Sequence, residues 1–320
     1  MYPSFIEKIK INKINSYEYI RRFGMLAAFI LICVLLSLVT PNFFSLQNMT
    51  IVLRQVSING ILAIGVTFVI IAGGIDLSLG SVVALAGVVA AIFAHPGEYA
   101  LIVPIAMAIS VGLAIGCLNG LVVTWGKVAP FIVTLGMMTI ARGLALVTSD
   151  GRPITNLSDS FNAIGGGNVL GVPLPILIFI LVIAVSSFVL NQTRLGRYMY
   201  AVGGNEKAAY ASGVRVNSVK MIAYMICSGL AGLAGIVLAA RINTGQPNAG
   251  VAYELDAIAA VVIGGTSLAG GVGSIGGTVL GVLLIGVINN GLDLMNVSSY
   301  YQQIIKGIII IAAVLIDRKK

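Results

Sequence analysis

Apolar residues in this chain fall into unbroken runs of fifteen to twenty-five, separated by short breaks rich in Gly, Pro, Asn and Ser. Runs of that length with so few charges read as membrane-crossing helices. The runs at 25–39, 51–72, 80–94, 100–124, 130–149, 172–191, 218–240, 253–271, 274–292 and 300–316 predict an all-α polytopic membrane protein with about ten transmembrane helices. They form a single domain at 25–316, with an N-terminal segment at 1–24, a polar connector at 192–217 and a tail at 317–320. The helices are apolar all round, so their period does not reveal which faces would meet a pore.

Composition removes the competing classes. Hydrophobic residues make up 58% of the 320 and charged residues only 9%, against about 25% charged in an average soluble domain. A soluble globule and a disordered chain are both excluded. The net charge of +8 then reads as topology, because Lys and Arg concentrate on the cytoplasmic side of a membrane. With the N-terminus inside, ten crossings return the C-terminus inside. Fourteen basic residues then lie inside, among them Lys8, Lys10, Lys13, Arg21, Arg22, Lys127, Arg194, Arg197, Lys207, Arg215 and Lys220. Three, Arg54, Arg152 and Arg241, lie outside. The run after Arg22 has a signal-peptide look, but Ser37-Leu38-Val39-Thr40-Pro41 is no small-x-small cleavage site, so an uncleaved first helix is expected.

One segment is weak. Gly264-Gly265-Thr266-Ser267-Leu268-Ala269-Gly270-Gly271 predicts a broken or re-entrant helix near 264–271, although the charge balance requires 253–271 to cross. Residues 69–76 share an apolar-Gly-Gly pattern with 260–267, which suggests an internal repeat of the kind transporters carry. Gly112-x-x-x-Gly116-x-x-x-Gly120 and Gly277-x-x-x-Gly281 are close-packing faces, within the bundle or between copies.

Several chemistries are not expected. Cys33, Cys117 and Cys227 lie in apolar runs and match no metal spacing, and His95 is the one histidine, so no metal, cofactor or catalytic cluster is foreseen. Gly271-x-Gly273-x-x-Gly276 matches a dinucleotide fingerprint in letters only, lacking a preceding strand. A phosphate-binding G-x-x-x-x-G-K-[ST] sequence is absent, so ATP is not held by such a loop here.

What polar chemistry remains sits in two places. In the connector, Asn205 suits an N-cap, Glu206 a first turn and Gly213 a C-terminal stop, which predicts a short helix carrying Lys207, Ala208 and Ala209. Within or between the spans lie Asn59, Asp76, Asn119, Arg142, Asn289 and Asn290, with Lys306 in the last. Buried polar side chains in a membrane pair with one another or mark a pathway. Mostly uncharged, they suit a neutral hydroxyl-rich solute better than an ion. Asp76 is expected to cap the third span, with a role in gating or in the pathway as the other reading.

These residues stand in a recognisable order. Pro41-Asn42-Phe43-Phe44, Gly73-Gly74-Ile75-Asp76-Leu77-Ser78, Leu195-Gly196-Arg197-Tyr198, Gly203-Gly204-Asn205-Glu206, Tyr253-Glu254-Leu255-Asp256-Ala257-Ile258-Ala259, the 264–271 block, Asn289-Asn290-Gly291-Leu292 and Val297-Ser298-Ser299-Tyr300-Tyr301-Gln302 follow one another. The chain resembles the membrane permease subunits of bacterial sugar ATP-binding-cassette importers over nearly its whole length, the last block tilting toward ribose rather than autoinducer-2. The resemblance implies a multi-pass inner-membrane permease, not an enzyme. Its implied partners are a second copy, a cytoplasmic ATPase, an extracytoplasmic sugar-binding protein and membrane lipid, with no nucleic acid. It also implies that Asn205, Glu206, Lys207, Ala208, Ala209 and Gly213 form the loop that couples to the ATPase. Here that loop reads Glu-Lys-Ala-Ala-x-x-x-Gly, one Lys longer than the usual Glu-Ala-Ala-x-x-x-Gly. The alternative is an ion-coupled secondary transporter; against it, Asp76, Glu254, Asp256 and Asp293 are all expected at span ends.

Overall fold

The computed structural model describes residues 24–317. The basic N-terminal segment and residues 318–320, on which part of the charge count rests, lie outside the described residues. Helices follow the apolar runs: α1 (Gly24–Val39), α2 (Leu46–Ile71), α3 (Leu79–Ile92), α4 (Ile102–Thr124), α5 (Pro130–Thr148) and the surface helix α6 (Asp159–Gly166). A two-residue hairpin, β1 (Asn168–Val169) and β2 (Val172–Pro173), leads into α7 (Leu174–Gln192). Then come α8 (Arg194–Gly204), α9 (Glu206–Ala211), α10 (Val216–Ile242), α11 (Tyr253–Ile263), α12 (Ile275–Leu294) and α13 (Ser299–Asp317).

Among the described residues six helices, α2, α4, α5, α7, α10 and α12, are long and apolar enough to cross a membrane unbroken. Unbroken helices of that length thus account for six of the about ten expected spans among the described residues. The clearest departures are α3 and α11, with 14 and 11 residues. At 1.5 Å per residue they measure about 21 and 16 Å, well short of the ~30 Å hydrocarbon thickness.

The core is built on α2 and α10, which pack antiparallel. Every residue of α2 from Gly60 to Ile71 is buried. A side chain at Gly65 would press on the Cys227 backbone at 3.1 Å, and one at Gly74 would reach the Tyr224 ring. On the other side of α10 the glycine stripe of α4 does what its spacing predicts. Gly116 faces Met225 Cα, which an added Cβ would meet at 2.7 Å, while Gly112 and Gly120 face Ser228 and Met221. Gly277 and Gly281 likewise lie on the α11 backbone at Gly264 and Ala260. These faces pack within the chain, where small residues let backbones approach and maximise van der Waals contact.

Each central helix is followed by the same sequence of shapes in opposite directions. After α2 the chain turns at Gly73 (φ +79°), runs non-helically through 74–78 and starts α3 beside the middle of α10. After α10 it turns at Asn243 (φ +54°), runs non-helically to Ala252 (φ +67°) and starts α11. The two returning segments meet where Gly80 lies against the Gly250 carbonyl and Glu254. Two long helices with two half-helices thus form an inverted pair, the arrangement that leaves non-helical backbone buried at depth.

This refines two expectations. The helix does stop at 264–271, in a turn at the α8 end of the bundle where the Gly271 N–H donates to the Ile71 carbonyl, but a second non-helical stretch at 243–252 precedes α11 and leaves it only 11 residues long. Residues 69–76 and 260–267 do share a structure, but it is a helix cap. Gly73 and Gly74 donate to the carbonyls of Ile70 and Val69, as Gly265 and Thr266 do to those of Val262 and Val261. The Gly at C′ takes positive φ in both. The larger likeness relates α2–α3 to α10–α11.

Candidate functional site

Two groups of residues carry polar chemistry: clusters buried between the helices and an elbow at one end. Asp76 lies in the non-helical 74–78 segment and is fully buried. Its Oδ1 accepts from the Ser78 N–H at 2.9 Å and the Ser78 hydroxyl at 2.6 Å. The Ser228 hydroxyl, midway along α10, donates to Oδ2 at 3.4 Å, and Asn119 Nδ2 on α4 donates to Ser78 Oγ at 3.1 Å. The Tyr224 hydroxyl adds a bond to the Ile75 carbonyl. Asp76 is therefore not the cap of a span end: Ser78 is the N-cap residue of α3, and the carboxylate welds α3, α4 and α10 together at depth. Flanking hydropathy hides this, because a short extended segment between apolar runs reads as a surface loop.

The other candidates do not converge on one path. Arg142 donates to the carbonyls of Pro247 and Ala249 at 2.6 and 2.8 Å, pinning α5 to the returning segment before α11. Asn290 exchanges amide bonds with Asn48 at 2.9 and 2.8 Å, clamping α12 to the start of α2. Asn289, next to it, is 3% exposed and faces α11 and α13 instead. Asn59 is half-buried on α2 and takes part in none of these clusters.

Sequence reading missed several partners, Asn48 among them. Lys306 on α13 pairs with Asp256 of α11 at 2.7 Å, and Asp256 is 6% exposed. A mid-span lysine demands an acid within reach, and Asp256 carried that signal. Ser228 and Thr67, whose hydroxyl lies 2.7 Å from that of Thr278, gave none, since hydroxyls are common in packed membrane helices. The expectation that acids sit at span ends fails for Asp76 and Asp256. Both ride on interrupted segments into the bundle.

At the other site the connector folds as foreseen and further. The Asn205 side chain accepts from the Ala208 N–H at 3.0 Å, capping α9, and Gly213 (φ +83°) closes it by donating to the Tyr210 carbonyl. Glu206 pairs with Lys220 of α10 at 2.6 Å. Glu206, Lys207, Ala208 and Tyr210 are exposed, and only Ala209 is buried among the α9 residues. Preceding it, α8 was not expected as a helix; Thr193 caps it by accepting from the Gly196 N–H. Its Tyr200 hydroxyl donates to the Gly273 carbonyl at 2.9 Å, and burial pushes that phenol up, keeping it a donor. At Gly203 three backbones meet, because a Cβ there would strike the Ile71 carbonyl and lie 2.6 Å from Gly271 N. The elbow is thus joined directly to the end of α2 and to the loop between α11 and α12.

Among the described residues no group of three or more His, Cys, Asp or Glu is placed to hold a metal. The family model described as branched-chain amino acid transport system / permease component matches residues 48–314. The ribose import permease protein RbsC of Escherichia coli K12 is 49% identical over 299 residues, 92% of this chain and 93% of its own length. That of Bacillus subtilis is 46% identical over 310 residues, 96% of both, and the D-allose transport system permease AlsC of Escherichia coli K12 is 39% identical, covering 90% of this chain and 89% of its own. No solved structure gives a significant match. The relatives are transport permeases rather than enzymes. A two-helix elbow wired to two central helices, in a chain matched along nearly all its length, leaves one conclusion: the chain belongs to this family of importer permeases.

Proposed function

We propose that this chain is the permease subunit that passes a monosaccharide, ribose first among the candidates, through the inner membrane in an ATP-binding-cassette importer. The end bearing α8 and α9 faces the cytoplasm, with both termini on that side, and docks a separate ATPase through Asn205, Glu206, Lys207, Ala208, Ala209 and Gly213. A sugar-binding protein delivers to the opposite end. Two copies pair with each other, and lipid covers the rest of the exposed apolar faces of α5, α7 and α13. The observation that carries this is the capped, exposed helix α9 joined through Gly203 to α2 and to the loop between α11 and α12, which gives a push at the elbow a direct route into the bundle. Identity to sugar import permeases supplies the substrate class.

The membrane domain runs over 25–316, with 192–217 as the coupling connector. Asp76, Asn119, Arg142 and Asn290 are assigned to holding the returning segments in register, not to contact with sugar. The test is reconstitution in liposomes with the ATPase and binding protein of the same importer. ATP-dependent uptake of ribose is expected. Uptake by the chain alone, driven by a proton or sodium gradient, would replace this reading with that of a secondary transporter.

A further inference from the structure

Helix α2 carries two amides that the bundle does not use. Gln55 and Asn59 are half-buried, and among the described residues neither makes a hydrogen bond. They stand about 14 and 20 Å from the Leu46 end of a helix about 39 Å long, so Asn59 lies near mid-membrane. An amide facing lipid at that depth is among the costlier arrangements a span can hold. The exposed faces of α5 and α7 avoid it, with Ile140, Leu144, Leu181 and Val185. Gln55 and Asn59 are recessed rather than fully exposed, which sets them in a crevice of the chain and not on the outer surface that lipid or a second copy would cover.

Both amides belong to one face of α2, which Leu62 and Val66 continue at helical spacing. Along that face the character changes once. Arg54, beside Gln55, reaches the Asn168 side chain of the exposed hairpin at 3.2 Å, so this level of α2 borders the polar end opposite the elbow. Deeper, Leu62 and Val66 are 0% exposed. Helix α11 accounts for the change: its ~16 Å packs on α2 between mid-bundle and the elbow end, and the non-helical 243–252 stretch stands in its place above. The face is thus polar and open in one half, apolar and sealed in the other. An amide donates through its NH2 and accepts through its oxygen, so two of them a turn apart match a row of hydroxyls, each of which does both.

We infer that Gln55 and Asn59 line the outer half of the sugar's route, and that Leu62 and Val66 begin the seal below it. The inference rests on the sugar-permease reading. The elbow bears on both walls of that seal, because at Gly203 it touches the end of α2 and the loop that follows α11. A push there acts on the contact that must open for sugar to pass inward from Asn59.

The test uses the complete importer with its ATPase and binding protein. Asn59→Leu keeps the branching of the side chain and removes its amide; loss of one polar contact in transit is expected to lower uptake into liposomes about tenfold. The thermal midpoint should hold, since no bond within the chain is lost, and Asn59→Gln should recover part of the uptake. A second arm, in lipid nanodiscs, replaces Cys33, Cys117 and Cys227 by Ala and introduces one cysteine at a time. A charged thiol reagent is expected to label Gln55→Cys and Asn59→Cys in the ATP-free importer and to spare Leu62→Cys, Val66→Cys and, on the lipid face of α7, Leu181→Cys. During ATP turnover, sugar-loaded binding protein should slow labelling of Asn59→Cys relative to sugar-free binding protein. Uptake by Asn59→Leu within about twofold of wild type overturns the inference. So does labelling of Asn59→Cys no faster than that of Leu181→Cys, which would put the amide in lipid. Labelling that sugar leaves unchanged also overturns it and, where two copies cross-link through Asn59→Cys, would mark a copy-to-copy contact instead. A wild-type importer that moves no sugar would refute the permease reading itself, so the two failures are separable.

Discussion

Gly203→Ala is a single methyl group placed where three backbones converge. Its Cβ would fall on the Ile71 carbonyl oxygen and 2.6 Å from Gly271 N, where ordinary contact begins at 3.4 Å. Neither atom belongs to a flexible side chain, so α8 must move off the end of α2 and the loop between α11 and α12. Overpacking of this kind costs about 1–3 kcal/mol. The Gly271 N–H to Ile71 carbonyl bond, 2.9 Å long, is then lost or stretched, for about 1 kcal/mol more. Replacing a helical Gly by Ala returns roughly 0.5–1 kcal/mol, leaving a net destabilisation of about 2 kcal/mol. The neighbouring position is the control: a Cβ at Gly204 meets nothing within 4 Å. Gly204→Ala should therefore be neutral or stabilising. The assay compares thermal midpoints of the two purified variants and their ATP-driven uptake in the reconstituted importer. Gly203→Ala is expected to lose midpoint and to hydrolyse ATP with uptake reduced out of proportion. If the two alanines behave alike, the elbow does not act on α2 and the α11–α12 loop through this contact, and coupling takes another route.

At the Asp256–Lys306 pair, Lys306→Met strands a buried carboxylate and should cost about 3 kcal/mol, whereas adding Asp256→Asn should restore much of it. A double-mutant cycle on midpoints checks this, and an additive result would show the pair is not coupled. Asp76→Asn keeps an acceptor for Ser78 but can turn an amide toward Ser228, so stability should fall by about 1–2 kcal/mol with substrate choice unchanged. A switch in sugar preference at normal expression would contradict that. Gly213→Pro cannot adopt φ +83° and lacks the N–H that closes α9, so it should uncouple hydrolysis from uptake while the membrane bundle stays folded. Glu206→Lys should do the same more weakly by setting two ammonium groups together beside Lys220. Normal coupling in both would make α9 a plain connector.

The sequence by itself determined what depends on local composition and on residues near in the chain. Apolar run length placed the long helices to within a few residues. The small-residue stripe at Gly112, Gly116 and Gly120 announced a close contact. Asn205 and Gly213 bracketed α9, because caps are satisfied within a turn and their chemistry is written locally. The candidate site was legible in part for the same reason: the elbow residues were named, while its contacts at Gly203 with α2 and the α11–α12 loop were not.

Tertiary structure decided depth and pairing. Hydropathy averages over about twenty residues, so it cannot tell an extended segment that dives between helices from a loop that stays outside. Asp76 and Asp256 were therefore placed at span ends and found in the interior. Partners are equally invisible, since Asp256 and Lys306 stand 50 residues apart in the chain, and Asn48 and Asn290 lie 242 apart. A buried polar group must find its complement, but only the packing of the helices says which one. In a bundle apolar on every face, the physical information is in the few polar atoms, and their meaning depends on what the fold sets opposite them.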